Sequence, residues 1–188
     1  MRDVLVVYYS RSGTTDVVAR ALATALGADL DRITPAVSYA GAAGFVRGLW
    51  HALRRIGPPI RKRFDPAPFK TVVLCSPVWA GRLPGPVRTY LQEAGAPPHL
   101  LGVAVSGSGG AQAAFFRDLE QISGCAGMPT LSLTQRQVLT GAYRPSLDAF
   151  AQTARRGLSD AAPARPRADG NAPDRSGPDG LPGGGLIA

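Results

Sequence analysis

The stretch Val4–Leu22, VLVVYYSRSGTTDVVARAL, decides how the rest of the chain is read. Val4–Tyr9 is an apolar run of β-branched and aromatic residues, long enough for one buried strand. It stops at Ser10-Arg11-Ser12-Gly13-Thr14-Thr15, where four hydroxyls in six residues crowd around one glycine. Val17, Val18, Ala21, Leu22, Ala25 and Leu26 then recur at helical spacing, and Gly27 supplies a C-cap signal. The order is strand, hydroxyl-rich turn, helix. The first N–H groups of a helix have no internal partner and carry the positive end of its dipole, so such a turn is built for an anion. A phosphate there takes the free N–H groups, the hydroxyls donate the rest, and Gly13 keeps a Cβ out of the way. The plainer alternative is a β–turn–α connection whose Ser and Thr merely cap the helix. The density of hydroxyls favours phosphate.

Working outward, Asp29–Thr34 reads as a brief second strand. Gly41–Ile56 reads as a helix, with Phe45, Val46, Leu49, Trp50, Leu53 and Ile56 on one stripe and Arg47, His51, Arg54 and Arg55 largely on another. Thr71–Cys75 is the clearest buried strand, followed by Ser76-Pro77-Val78-Trp79-Ala80-Gly81-Arg82-Leu83-Pro84 and a helix to about Glu93. Leu100–Ser106 is a fourth strand, leading into Gly107-Ser108-Gly109-Gly110 and a helix over Ala111–Ser123. Thr130–Leu133 reads as a fifth strand and Ser146–Leu158 as the last helix. Such alternation predicts an α/β fold, a five-stranded parallel sheet with helices on both faces, of order 2-1-3-4-5. The loops leaving strands one, three and four then meet at the carboxyl edge of the sheet. From residue 159 onward Pro, Gly and Ala dominate, a composition expected to stay disordered, which leaves one domain over residues 1–158.

Bulk properties narrow the classes. The chain has 188 residues, room for one sizeable core, and no run near the ~20 apolar residues of a membrane span. The strand begins within a few residues of Met1, so no signal peptide is expected. Cys75 and Cys125 make neither a disulfide framework nor a zinc site, which points to a reducing, cytoplasmic setting. Of a net charge of +8, six cations lie in one acid-free segment: Arg47, Arg54, Arg55, Arg61, Lys62 and Arg63. They read as a solvated face, or as a rim attracting an anionic dinucleotide or an acidic redox partner. Nucleic acid is not expected, since no recognised motif accompanies the charge.

Competing motifs fail on spacing. The first loop has no cysteine nucleophile, no Gly-Lys pair announces a nucleotide P-loop, and the residue opening Ser106–Gly110 is not the glycine of a hydrolase elbow. His51 and His99 are the sole imidazoles, and neither has a hydroxyl and carboxylate in an evident trio with it. No catalytic side chain and no metal ligand set is assigned, so the reactivity has to come from a cofactor. Trp79, in the loop after a central strand, either stacks on a planar ligand or packs into the loop's own apolar surface.

The segment YYSRSGTTDVVARALATALGAD, residues 8–29, resembles the phosphate-binding loop of the flavodoxin-like family, with Ser12 in place of the usual Thr and Thr14 in place of the usual Asn. SPVWAG, residues 76–81, resembles that family's flavin-contacting loop. The resemblance spans about residues 3–155 and implies a flavodoxin-like three-layer sandwich binding FMN. Ser10, Arg11, Ser12, Gly13, Thr14 and Thr15 would hold the phosphate. Pro77, Val78, Trp79, Ala80 and Gly81 would meet the ring, and Ser106, Gly107, Ser108, Gly109 and Gly110 would close the pocket. The third loop lacks the aromatic residue of many carrier flavodoxins, which would leave one flavin face open to a nicotinamide. The implied function is an oxidoreductase taking electrons from NAD(P)H to a quinone or similar small-molecule or protein acceptor. The alternative is a one-electron carrier docking on redox partners. Oligomeric state stays open, a homodimer included.

Overall fold

The structure, a computed structural model, describes residues 3–95, 97, 99–107, 109 and 112–160. Among these residues thirteen elements follow one another. They are β1 (Val4–Tyr8), α1 (Thr14–Leu26), β2 (Asp29–Arg32), β3 (Thr34–Pro35), α2 (Gly41–Arg54), β4 (Ile60–Arg61) and β5 (Thr71–Pro77). Then come α3 (Gly85–Ala94), β6 (Leu100–Ser106), α4 (Ala113–Ser123), β7 (Thr130–Thr134), α5 (Gln135–Thr140) and α6 (Arg144–Asp160). Five strands form one sheet of order β2-β1-β5-β6-β7. Every pairing in it is parallel, with Val6 beside Leu30 and Val73, and Cys75 beside Val103. The expected α/β class and strand order are therefore observed. The short antiparallel pair of β3 and β4 is an addition that two-residue strands do not announce.

The period of two along β1 divides the core. Val4, Val6 and Tyr8 face one side, where they meet Val18 and Leu22 of α1 and Leu147 and Phe150 of α6. Leu5, Val7 and Tyr9 face the other, against Val87 and Leu91 of α3 and Phe115 and Leu119 of α4. A strand buried on both faces has no polar side to show, which is why β1 reads as an unbroken apolar run. Removing a side chain such as the fully buried Leu22 would cost about 2–5 kcal/mol.

One expectation needs correction, and it concerns α2. An amphipathic reading of Gly41–Ile56 implies that its apolar stripe packs inward, yet Phe45, Val46, Trp50, Leu53 and Ile56 are exposed. The inward face is Gly44, Gly48 and Ala52. A Cβ on Gly44 would lie 2.3 Å from the Tyr39 carbonyl carbon, and one on Gly48 2.5 Å from the Trp79 ring. The helix lies too close to its neighbours for large side chains, so they point away. His51 completes the seat, its Nδ1 2.7 Å from the Tyr39 hydroxyl. Helix α6 runs to Asp160, and the tail expected from residue 159 onward lies, from 161 to 188, outside the described residues.

Part of the basic segment also has a local explanation invisible in its own stretch. Asp118 of α4 is buried among three guanidiniums: Arg88 at 3.2 Å, Arg82 at 3.3 Å and Arg55 at 3.5 Å. Burial of Arg88 pushes its pKa down, and the Asp118 charge opposes that. A buried carboxylate shared this way joins α4 to α3 and to the end of α2, and removing one partner of such a pair is costly.

Candidate functional site

The loop after β1 is shaped from within. Ser10 is buried, and its Oγ accepts a hydrogen bond from the Gly13 N–H at 3.0 Å. That bond closes a tight turn, leaving Gly13 as the N-cap at φ +93°, a left-handed value that disfavours a side chain. Val17 N–H donates to the Gly13 carbonyl at 3.2 Å, the first bond of α1. Among the described residues no side chain caps the amides ahead of it. The hydroxyl-as-cap alternative is thus not what the loop does at that terminus. Asp16 in the first turn is drawn off by Arg20 at 2.8 Å, and this hydrogen bond holds its carboxyl below the usual carboxylate range.

The loop after β5 is a two-residue hairpin. Trp79 N–H donates to the Arg82 carbonyl at 3.1 Å and Arg82 N–H to that of Trp79 at 2.9 Å. Ala80 at φ +50° and Gly81 at φ +73° make the turn, both left-handed as a primed turn demands. An alanine in that region is strained, a feature concentrated at functional loops. The Trp79 ring is braced edge-on by Tyr9 at 5.6 Å and Tyr39 at 5.3 Å, with Gly48 against it. Trp79 therefore does pack against its own surroundings, while still lining the cavity described next. Burial pushes the Tyr39 phenol up to about 12 and raises that of Tyr9 further.

After β6, Ser106 Oγ accepts from Gly109 N–H at 3.2 Å and from Gln112 Nε2 at 3.1 Å. The Gln112 amide oxygen is buried and has no hydrogen-bond partner among the described residues. Ser108 and Gly110 lie outside the described residues.

The three loops meet. A cavity of about 170 Å³ is lined by Arg11, Ser12, Thr14 and Thr15 from the first, Pro77, Val78 and Trp79 from the second, and Val105, Ser106 and Gly107 from the third. Phe45 and Gln135 complete the lining. Ser10 and Gly13 shape the first loop from behind, and Ala80, Gly81 and Gly109 are turn positions outside the lining. Sequence reading missed Phe45, which brings an aromatic ring from α2 with the Arg11 guanidinium 5.3 Å from its centroid. It missed Gln135 as well. The signal for Gln135 was Thr134-x-x-Gln137, a capping box that starts α5: Thr134 Oγ1 accepts from Gln137 N–H at 3.2 Å, and Gln137 Oε1 accepts from Thr134 N–H at 2.8 Å.

A larger hollow, about 480 Å³, is lined by the starts of β5 and β6 (Thr71, Leu100 and Leu101), at the opposite edge of the sheet. Ligands of open parallel sheets bind at the carboxyl edge, so the smaller cavity is the candidate site. Among the described residues no group of His, Cys, Asp or Glu could hold a metal, and none of the helices is long and apolar enough to cross a membrane. Cys75 is fully buried in β5, where burial raises its thiol pKa, so it is no nucleophile.

This architecture, with its loops gathered at one edge, is the flavodoxin-like fold, in agreement with the resemblance read from residues 8–29 and 76–81. The Flavodoxin family model matches residues 3–46. Among solved structures, a flavoprotein candidate from Bacteroides uniformis is 23% identical with a TM-score of 0.64, over 80% of this chain and 98% of that one. A flavoprotein from Lactobacillus acidophilus, solved in complex with FMN, is 18% identical with a TM-score of 0.57, over 74% and 98%. An NADH:FMN oxidoreductase in its apo form is 15% identical with a TM-score of 0.53, over 85% and 91%. No curated protein matches the chain.

Proposed function

We propose that the protein is an FMN-binding oxidoreductase that takes electrons from NAD(P)H and passes them to a quinone or similar acceptor. The observation that carries this reading is the shared cavity: the uncapped amides and hydroxyls opening α1 lie on the same wall system as Trp79 and the start of the β6 loop. The residues present fit the cofactor. Ser12, Thr14 and Thr15, with Arg11 beside them, suit a phosphate dianion. Trp79 and Phe45 offer aromatic surface to a planar ring, and the strained Ala80–Gly81 turn offers backbone groups to its edge. The enclosed volume is below the ~300 Å³ usual for a whole small-molecule site, so it suits part of the ligand and leaves the rest at the open rim.

When bound, FMN supplies the hydride and single-electron chemistry that the side chains lack. The chain's own part is to bind and orient. The first loop neutralises the phosphate, the Tyr9–Tyr39–Gly48 brace fixes Trp79, and Ala80 and Gly81 present N–H and C=O groups whose direction a peptide rotation would reverse. The solved structures described as FMN-bound and as NADH:FMN oxidoreductase support the choice of cofactor and donor class.

The test is direct. Gently purified protein should be yellow, with roughly one FMN per chain, and should oxidise NAD(P)H in the presence of a soluble quinone. Tight FMN without turnover of any small acceptor would favour the electron-carrier reading. No FMN binding at all would end both.

A further inference from the structure

Seven large apolar side chains are exposed among the described residues, and five of them belong to α2 and its exit: Phe45, Val46, Trp50, Leu53 and Ile56. Val46 is 64% exposed and Leu53 59%, so the crest of the helix is its most apolar line. Single exposed hydrophobics need no explanation, but a contiguous ridge does. It is not an accident of poor packing, because Gly44, Gly48 and Ala52 seat the opposite face tightly.

We propose that the outer face of α2 docks on an anionic lipid bilayer. Charge chooses the occupant. Arg47 and Arg54 are seven residues apart and so share one flank of the ridge, and Arg11 stands at the Phe45 end. The Arg54 guanidinium lies over the Trp50 ring, 4.3 Å from its centroid, and no carboxylate pairs with it among the described residues, which suits a lipid headgroup. No acid occurs between Asp31 and Asp65, so the whole surrounding segment carries one sign. A specific protein interface needs about 800 Å² per partner with a hydrogen-bonding polar rim that sets register. A ridge flanked by arginines, in a segment without an acid, has no carboxylate of its own to set register with a protein partner, whereas a fluid anionic surface asks only for apolar area and positive charge. The docking is separate from the FMN reading and holds with or without cofactor. Its consequence is positional: Phe45 belongs both to the ridge and to the cavity lining, so docking brings the cavity mouth to the bilayer surface.

Flotation of the full chain with vesicles tests this, using phosphatidylcholine alone against phosphatidylcholine containing about one-third phosphatidylglycerol. The bound fraction should be at least ~10-fold greater on the anionic vesicles at low salt and should fall as salt rises. Val46→Ser with Leu53→Ser, both at exposed positions, should weaken binding roughly 10-fold. Arg47→Gln with Arg54→Gln should do so by a similar factor at low salt alone. Tryptophan emission should shift to the blue with anionic vesicles, and Trp50→Phe should remove the shift. Equal binding to neutral and anionic vesicles, or none to either, would overturn the proposal. So would a concentration-dependent dimer that the Val46 and Leu53 changes abolish while no lipid binds, since the ridge would then belong to a second copy.

Discussion

Gly13 and Gly27 bracket α1 with the same backbone sign, φ +93° and +62°, and at neither would a Cβ meet anything within 4 Å. The case for both glycines is therefore conformational, about 1–2 kcal/mol against another residue, and the two differ only in what lies nearby. Gly27→Ala should lower stability in urea unfolding by about 1 kcal/mol and leave FMN affinity unchanged. Gly13→Asp should cost a similar amount of stability and also weaken FMN at least ~10-fold, by setting a carboxylate beside the proposed phosphate cradle. A titration in which Gly13→Asp binds FMN as tightly as the parent would remove the phosphate assignment. Both glycines were legible because each punctuates a periodic run. The strain at Ala80 was not, since nothing in Trp-Ala-Gly-Arg states that the chain turns there with both central residues left-handed.

Among the elements, α2 departs most from its sequence reading. Periodicity gives the angular position of a stripe about the helix axis and says nothing about which side of the axis the protein lies on. The usual inference is that the apolar side is the inner one. Here three small residues at spacing four allow a close approach that outweighs it. Gly48→Ala should then destabilise the protein by about 1–3 kcal/mol, because its methyl would have to displace the Trp79 ring. The near-UV circular dichroism of Trp79 should change with it. Val46→Ser, on the exposed crest, should shift stability by less than about 0.5 kcal/mol. If both variants unfold alike, the seat described for α2 is wrong. Helix α5 escaped notice for another reason: at six residues it is too short for periodicity, and its capping box is the sole local trace.

At the scale of the whole molecule, the aromatic residues joining the layers make it sensitive to alkali. Tyr8, Tyr9, Tyr39 and Tyr90 are buried, and burial raises the phenol pKa of each, to about 12 for Tyr39. The Tyr90 hydroxyl is buried without a hydrogen-bond partner among the described residues, and the Asp31 and Asp65 charges add to the effect of burial there. The sign follows from proton counts. An unfolded tyrosine releases its proton near 10, the folded one retains it, and above that pH the unfolded chain binds fewer protons. This contribution is fully present below pH ~10 and is lost as the pH rises through the folded-state values. Thermal melts should show Tm falling between pH ~10 and ~12, and absorbance near 295 nm should report the same step. A flat profile there would mean that these phenols are already exposed.

Residues 4–26, the buried strands and the hydroxyl-rich first loop were determined by the sequence alone, because each is a local pattern: a period, a breaker, a cap. The strand order followed from the alternation of strand and helix, whose common arrangement in short chains is 2-1-3-4-5. Tertiary structure alone decided the rest. It turned the apolar face of α2 outward, set Phe45 and Gln135 into a cavity otherwise built from the carboxyl-edge loops, and gathered Arg55, Arg82 and Arg88 on Asp118. Those outcomes depend on how closely two surfaces approach and on which distant residue sits opposite, and no window along the chain contains both partners.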